Sequence, residues 1–240
     1  TFDMYRLYAG IQNAGVVRVP LNADRNFALD TEAILAALDA SVKIIFICSP
    51  NNPTGQSMAR ADIERICRAT AGRALVVIDE AYHEFATDGD FLDLRARHEH
   101  VVLLRTLSKF VSLAGVRCGL IVGAPELIEF AQVVLPPYTF PTPSIELVQQ
   151  ALSQDSLKVS EERVGVLKRE RARLSTALRD VPDDIKAMPV VSLFASMTAV
   201  TAATIGLSLN AGGLLIEVFR AGIESVSRGQ VDAAYSFGMS

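Results

Sequence analysis

Ala74-Leu-Val-Val-Ile-Asp-Glu-Ala-Tyr82 opens with an unbroken apolar run and stops abruptly on two carboxylates. A run this continuous in Val, Ile and Leu suits a strand buried on both faces of a mostly parallel sheet, because an antiparallel strand with one wet face would alternate. Four other stretches share the texture: Val16-Val-Arg-Val19, Lys43-Ile-Ile-Phe-Ile-Cys48, Val101-Val-Leu-Leu-Arg105 and Gly119-Leu-Ile-Val122. Between them, Thr31-Glu-Ala-Ile-Leu-Ala-Ala-Leu38 and Ala59-Arg-Ala-Asp-Ile-Glu-Arg-Ile-Cys67 place apolar residues at helical spacing, the first with Asp30 or Thr31 as N-cap. Strands alternating with helices predict an α/β layered domain, whose ligands bind beyond the carboxyl ends of the strands.

Composition narrows the class of protein. The 240 residues are enough to bury a sizeable core, and half of them are apolar. A formal charge of -4 supplies no basic field for nucleic acid. Cys48, Cys67 and Cys118 are too irregularly spaced for a disulfide framework or a metal site, so buried thiols in a reducing cytoplasm are expected. Met197 to Val218 is long and poor in charge, but its Thr, Ser, Asn and Gly content makes a poor membrane span. Thr1-Phe-Asp-Met-Tyr5 has neither the basic nor the apolar region of a secretory signal, and the chain is expected to start partway through a longer protein.

Three motifs fall at predicted strand ends. Ser49-Pro-Asn-Asn-Pro-Thr-Gly55 follows the first strand of the central set, Asp79 closes the next, and Arg105-Thr-Leu-Ser-Lys109 leaves the third. Together they supply one amine (Lys109), one carboxylate at the end of an apolar strand (Asp79), and the donors Asn52 and Tyr82. The hydroxyls of Thr106 and Ser108 follow, with the guanidinium of Arg117. A carboxylate in such surroundings demands a charged partner. Two hydroxyls beside a guanidinium suit a phosphate, which Arg can clamp with two parallel hydrogen bonds. This is the donor set that pyridoxal 5'-phosphate requires: an amine to join its aldehyde carbon, a carboxylate to keep its ring nitrogen protonated, donors for its phenolate oxygen and a cup for its phosphate.

The quoted segments, with Asp79-Glu-Ala-Tyr-His-Glu-Phe85 and Ala114-Gly-Val-Arg-Cys-Gly119, resemble the class I and II aminotransferases of pyridoxal-phosphate fold type I, and within that group most of all the histidinol-phosphate aminotransferases. The resemblance implies that Lys109 is the cofactor-bearing, proton-shuttling lysine and that Asp79 meets the ring nitrogen. Asn52 and Tyr82 would meet the phenolate oxygen, and Thr106, Ser108 and Arg117 the phosphate. Phe2 would stack on the ring, and the Asn52–Pro53 peptide is expected to be cis. It implies a homodimer and an amino donor exchanging with a 2-oxo acid. A threonine-phosphate decarboxylase, an aromatic aminotransferase and a truncated non-catalytic relative share the motifs and stay open as alternatives. His83 is expected to take no part, and His98 and His100, in a charged surface-like segment, are expected to be solvated.

The expected fold is the type I large domain, a mostly parallel sheet flanked by helices, over residues 1–165, with a partial small domain and its connecting helix over 166–240. Pro136-Pro-Tyr-Thr-Phe-Pro-Thr-Pro143 must be extended or turning. A long helical region follows from about Ser144 to Arg179, and its charged stretch Glu161 to Arg173 reads as a solvated face. Beyond Met188 charge and periodicity fade, which motivates a misread or divergent C-terminus. Arg220 and Arg228 sit outside the context of the family's substrate-carboxylate arginine.

Overall fold

A computed structural model of the chain describes residues 2–136 and 139–179. The expectations for Met188 onward, including Met197 to Val218, Arg220 and Arg228, lie outside the described residues.

Four strands form one sheet in the order β1 (Ile44–Cys48), β2 (Leu75–Asp79), β3 (Val101–Thr106) and β4 (Gly119–Val122). The first three run parallel, with Cys48 opposite Asp79 and Asp79 opposite Leu104. β4 runs antiparallel to β3, with Gly119 opposite Thr106. The carboxyl ends of β1 to β3 and the start of β4 therefore share one edge of the sheet. Four of the five predicted strands are present at these positions. Val16-Val-Arg-Val19 is not a strand: among the described residues no ladder partner lies beside it, and Val17 is exposed. β-branched residues favour an extended backbone, but pairing and burial make a strand.

Two helices stand where their periods predict, over 31–36 and 60–70, and others over 4–11, 92–97 and 125–133 were not predicted. α1 (Met4–Ile11) precedes α2 (Thr31–Ala36), whose N-cap is Asp30: its carboxylate accepts from the Ala33 N–H at 3.0 Å. α3 (Arg60–Thr70) buries Ile63, Ile66, Cys67 and Thr70, one face of the helix. These side chains meet Ile47, Val76, Ile78, Val101 and Leu103 from the sheet, and Leu94 from α4 (Leu92–Arg97), in a single core. Beyond β4 come α5 (Pro125–Val133), α6 (Thr142–Ala151) and α7 (Gln154–Arg179).

The predicted long helical region is thus two helices broken at Leu152 and Ser153. It also begins earlier than expected. Thr142 and Pro143 open α6, because proline is tolerated in the first turn, where its missing N–H has no helical partner to lose. α7 presents Ser160 and Val164 to the interior, and Lys168 Nζ donates to the Ala86 carbonyl at 3.2 Å. Most of its charged residues face solvent, as a solvated face requires. Among the described residues no helix is long and apolar enough to cross a membrane.

Candidate active site

The Ser49–Gly55 turn is built by its own polar atoms. Ser49 is buried and its Oγ accepts from the Met58 N–H at 3.0 Å. Asn51, also buried, donates through Nδ2 to Thr54 Oγ1 at 2.9 Å, and its backbone N–H donates to the Gln56 carbonyl at 2.8 Å. Gly55 closes the turn at φ 71°, a left-handed conformation that strains any residue carrying a Cβ. The Ser49–Pro50 and Asn52–Pro53 peptides are both cis. With the turn so held, Asn52 Nδ2 donates to the hydroxyl of Tyr82 at 3.2 Å, although the two are thirty residues apart.

Tyr82 is the hub of this group. It is buried, follows β2, and lies beneath the amine of Lys109, whose Nζ is 5.5 Å from the ring centroid. Among the described residues Lys109 Nζ has no hydrogen-bond or ion-pair partner. The loop that carries it is shaped by Thr106 and Ser108: the Ser108 N–H donates to Thr106 Oγ1 at 3.1 Å, and the two hydroxyl oxygens are 2.9 Å apart. Leu107 N–H donates to the Cys118 carbonyl at 3.1 Å and ties the loop's two ends together. Arg117 sits one residue before Cys118 in a left-handed conformation, φ 59°. Its guanidinium is exposed and donates only to the Ala114 carbonyl, at 3.1 Å, without a carboxylate partner among the described residues. Lys109, Thr106, Ser108 and Arg117 therefore belong to one hairpin, but Arg117 does not touch the hydroxyl pair.

Asp79 belongs to a second group. Its Oδ1 accepts from the Ala81 N–H at 2.9 Å, and its Oδ2 accepts from the phenol of Tyr5 and lies 3.7 Å from Cys48 Sγ. Tyr5 stacks on Phe46 with ring centroids 4.3 Å apart, and Phe2 meets Tyr5 edge-on at 5.8 Å. Burial, then the Asp79 charge, pushes the Cys48 thiol up to about 12, so it stays a neutral filler beside the carboxylate. Phe2 is nearly half exposed.

Behind this edge runs an ion-pair network that the motifs did not announce. Glu80 is fully buried; Oε1 accepts from the Phe91 N–H at 2.6 Å and Oε2 from Arg105 Nε at 2.8 Å. Arg105 Nη2 donates to Asp90 Oδ2 at 2.8 Å, and Arg60 donates to the Asp90 carbonyl while lying over the Phe91 ring. Burial opposes the charge on Arg105, but its hydrogen bonds to Glu80 and Asp90 outweigh it and raise the pKa. Burial likewise opposes the Asp90 charge, and the Arg105 hydrogen bond, the Leu92 N–H and the Arg105 charge together outweigh it, leaving the pKa lowered. Glu80 directly follows Asp79 and Arg105 directly precedes Thr106, so neighbours that point to opposite sides build the candidate site and its support. That alternation was the available signal; only the fold shows that the two charges meet.

His83 Nδ1 lies 3.0 Å from the Glu80 carbonyl oxygen. His100 is not the freely solvated residue its charged surroundings suggest, since its Nε2 lies 3.0 Å from the Cys67 carbonyl oxygen at the end of α3. A cavity of about 210 Å3 opens behind the Ser49 turn, lined by Ser49, Pro50, Met58, Arg60 and Phe91 among others, and none of the candidate cofactor residues lines it.

A mostly parallel sheet that delivers a lysine, a carboxylate, an amide–phenol pair and a guanidinium to one edge defines an α/β protein of the pyridoxal-phosphate fold type I class. The aminotransferase class I and II family model matches residues 1–216, and the chain belongs to that family. The chain is 43% identical over 179 residues to the histidinol-phosphate aminotransferase of Xylella fastidiosa, covering 74% of this chain and 49% of that protein. It is 35% identical over 230 residues to the histidinol-phosphate aminotransferase of Aeromonas salmonicida, covering 95% of this chain and 64% of that one. Among solved structures, a double mutant of the Thermus thermophilus aspartate aminotransferase superposes with a TM-score of 0.66 at 25% identity, over 74% of this chain and 48% of the other. The chain spans about half the length of most of the curated relatives it matches.

Proposed function

We propose that the chain is the cofactor-binding part of a pyridoxal-phosphate-dependent aminotransferase that takes histidinol phosphate as amino donor and passes the amino group to 2-oxoglutarate. The observation that carries this reading is the convergence of Lys109, Tyr82 and Asn52 at the sheet edge that also bears Asp79 and the Thr106–Ser108 pair. The substrate rests on the names of the relatives at 35% and 43% identity. Residues 1–165 form the large domain in this reading, and 166–240 the connecting helix with part of the small domain. A homodimer, supported by the strongly exposed Phe130, Val133 and Val134 at the end of α5, and a cytoplasmic location belong to the same proposal.

The donor set fits the cofactor. Pyridoxal phosphate, when bound, supplies an electron sink for the charge left when the substrate loses its Cα proton. Lys109 Nζ, free of competing partners among the described residues, would hold the cofactor and, once displaced by the substrate amine, carry that proton away. Asp79 would keep the ring nitrogen protonated, and Asn52 and Tyr82 would donate to the phenolate oxygen. Thr106, Ser108 and Arg117, which has no ion pair among the described residues, would take the phosphate, and Phe2 would cover the ring.

Mixing the purified chain with pyridoxal phosphate is expected to give the visible absorption of lysine-bound cofactor, and borohydride is expected to fix it on the peptide containing Lys109. Identical fixation in Lys109→Ala would sink the assignment. Histidinol phosphate should then bleach the band and 2-oxoglutarate restore it. A chain that binds cofactor but responds instead to another amino donor would overturn the substrate and leave the class intact.

A further inference from the structure

Tyr5 lies seventy-four residues from Asp79 in sequence, yet its phenol donates to that carboxylate. We propose that Tyr5 is a positioning residue that fixes the orientation of the Asp79 carboxylate toward the cofactor's ring nitrogen; this rests on the cofactor reading above. Three features of the contact argue for an orienting role.

First, the Tyr5 ring is held independently of the hydroxyl, stacked on Phe46 of β1 at 4.3 Å with only 15° between the planes. Its donor therefore arrives at Asp79 from a fixed direction, so little side-chain freedom is lost in making the bond. Second, the two carboxylate oxygens are engaged by different elements: Oδ1 by the Ala81 N–H just after β2, and Oδ2 by Tyr5 from α1, with the Cys48 thiol 3.7 Å away. Two donors on two oxygens define the carboxylate plane, whereas the backbone bond alone would leave the group free to turn about its Cβ–Cγ bond. Each carboxylate oxygen has a further lone-pair direction, so the arrangement leaves acceptor capacity for a third donor. Third, burial and the hydrogen bond to Asp79 both raise the Tyr5 pKa well above its ordinary value. The phenol thus remains a donor throughout the neutral range.

Packing α1 against the sheet would require only the ring, which phenylalanine supplies equally well, so the hydroxyl is the atom to test. In the full 240-residue chain, Tyr5→Phe is expected to raise the dissociation constant for pyridoxal phosphate roughly tenfold, the scale of one hydrogen bond to a charged group. It is also expected to shift the pH midpoint of the bound cofactor's visible band. Phe46→Leu, which loosens the packing but keeps the hydroxyl, should shift that midpoint in the same direction and by less than Tyr5→Phe does. In an Asp79→Asn background the same Tyr5→Phe change should alter binding by less than about twofold, because the two residues act as one unit. An unchanged or tighter dissociation constant in Tyr5→Phe, or an equal loss in both backgrounds, overturns the proposal.

A cofactor-free measurement separates this outcome from failure of the cofactor reading. Ultraviolet titration is expected to show that Tyr5, identified by the absorbance lost in Tyr5→Phe, resists ionisation in the parent chain and titrates earlier in Asp79→Asn. If that difference is present and no cofactor binds, the cofactor reading falls, and with it the role assigned to Tyr5, while the contact stands. If the difference is absent, the contact itself is refuted.

Discussion

Glu80 carries a formal charge with no solvent contact, beside the residue on which the candidate site depends. Its partners are the Phe91 N–H and Arg105, itself shared with Asp90, so the charge is paired and hydrogen-bonded on both oxygens. Removing one member of a buried pair strands the other, and Glu80→Ala is expected to cost about 3 kcal/mol, toward the lower end because Arg105 is partly solvated and keeps Asp90. Urea unfolding measures it; a loss below about 1 kcal/mol would place the pair among ordinary surface bridges. Glu84 is the contrasting case. Its Oε2 is buried and without a hydrogen-bond partner among the described residues; His83 Nδ1 is 3.2 Å away, and the charges of Arg105 and Glu80 also act on it. Burial raises its pKa above the ordinary 4.5, so the folded chain holds a proton that the unfolded chain releases. The stability this group contributes is therefore full below about pH 4.5 and is lost as pH rises through the folded value. Glu84→Gln is expected to raise the urea midpoint at about pH 7 and to leave it unchanged near pH 4. An equal gain at both would assign the effect to packing.

The elements that hold the site were largely legible because each has a local cause. Asp30 ahead of Thr31-Glu-Ala-Ile is an N-cap by composition, and the structure places its carboxylate on Ala33 N–H; Asp30→Ala should cost about 1 kcal/mol in thermal or urea unfolding. The Ser49–Gly55 turn was legible as a turn, but the burial of Asn51 and the reach of Asn52 to Tyr82 were not, since both depend on β2 lying next to β1. Gly55 is where that turn can be tested. Its positive φ predicts that Gly55→Ala costs about 1–2 kcal/mol and, by moving Asn52, weakens pyridoxal phosphate binding. Loss of stability with unaltered binding would uncouple the turn from the cofactor. Val16 to Val19 shows the limit of local reading: its residues favour strand as strongly as those of β4, yet β4 has β3 beside it and Val16 to Val19 has no partner among the described residues. Tyr5 was illegible for the same reason, since its spacing on a short amphipathic helix gives no sign of a carboxylate that sheet pairing brings near.

At the scale of the whole molecule, the parallel order β1-β2-β3 gathers Asn52, Asp79 and Thr106 at one edge, and the reversal at β4 brings Arg117 there too. The exposed apolar end of α5 leads to a measurable expectation. Sedimentation equilibrium should return twice the 25.9 kDa chain mass, and a monomer at micromolar concentration would remove the dimer from the proposal. The hairpin also bears on how the chain assembles. β3 and β4 are joined through 107–118 alone, whereas each parallel pairing must wait for a helix to cross over the sheet. Shorter loops close with less entropy loss, so the hairpin is the strand pair that a collapsing chain can form soonest. In pulse-labelled exchange during refolding, the Leu107 amide, bonded to the Cys118 carbonyl, is expected to gain protection before that of Leu75, bonded to the Lys43 carbonyl. Lys109 and Arg117 would then share one formed element before Asn52 or Asp79 has arrived, which makes the hairpin the template on which the rest of the edge is assembled.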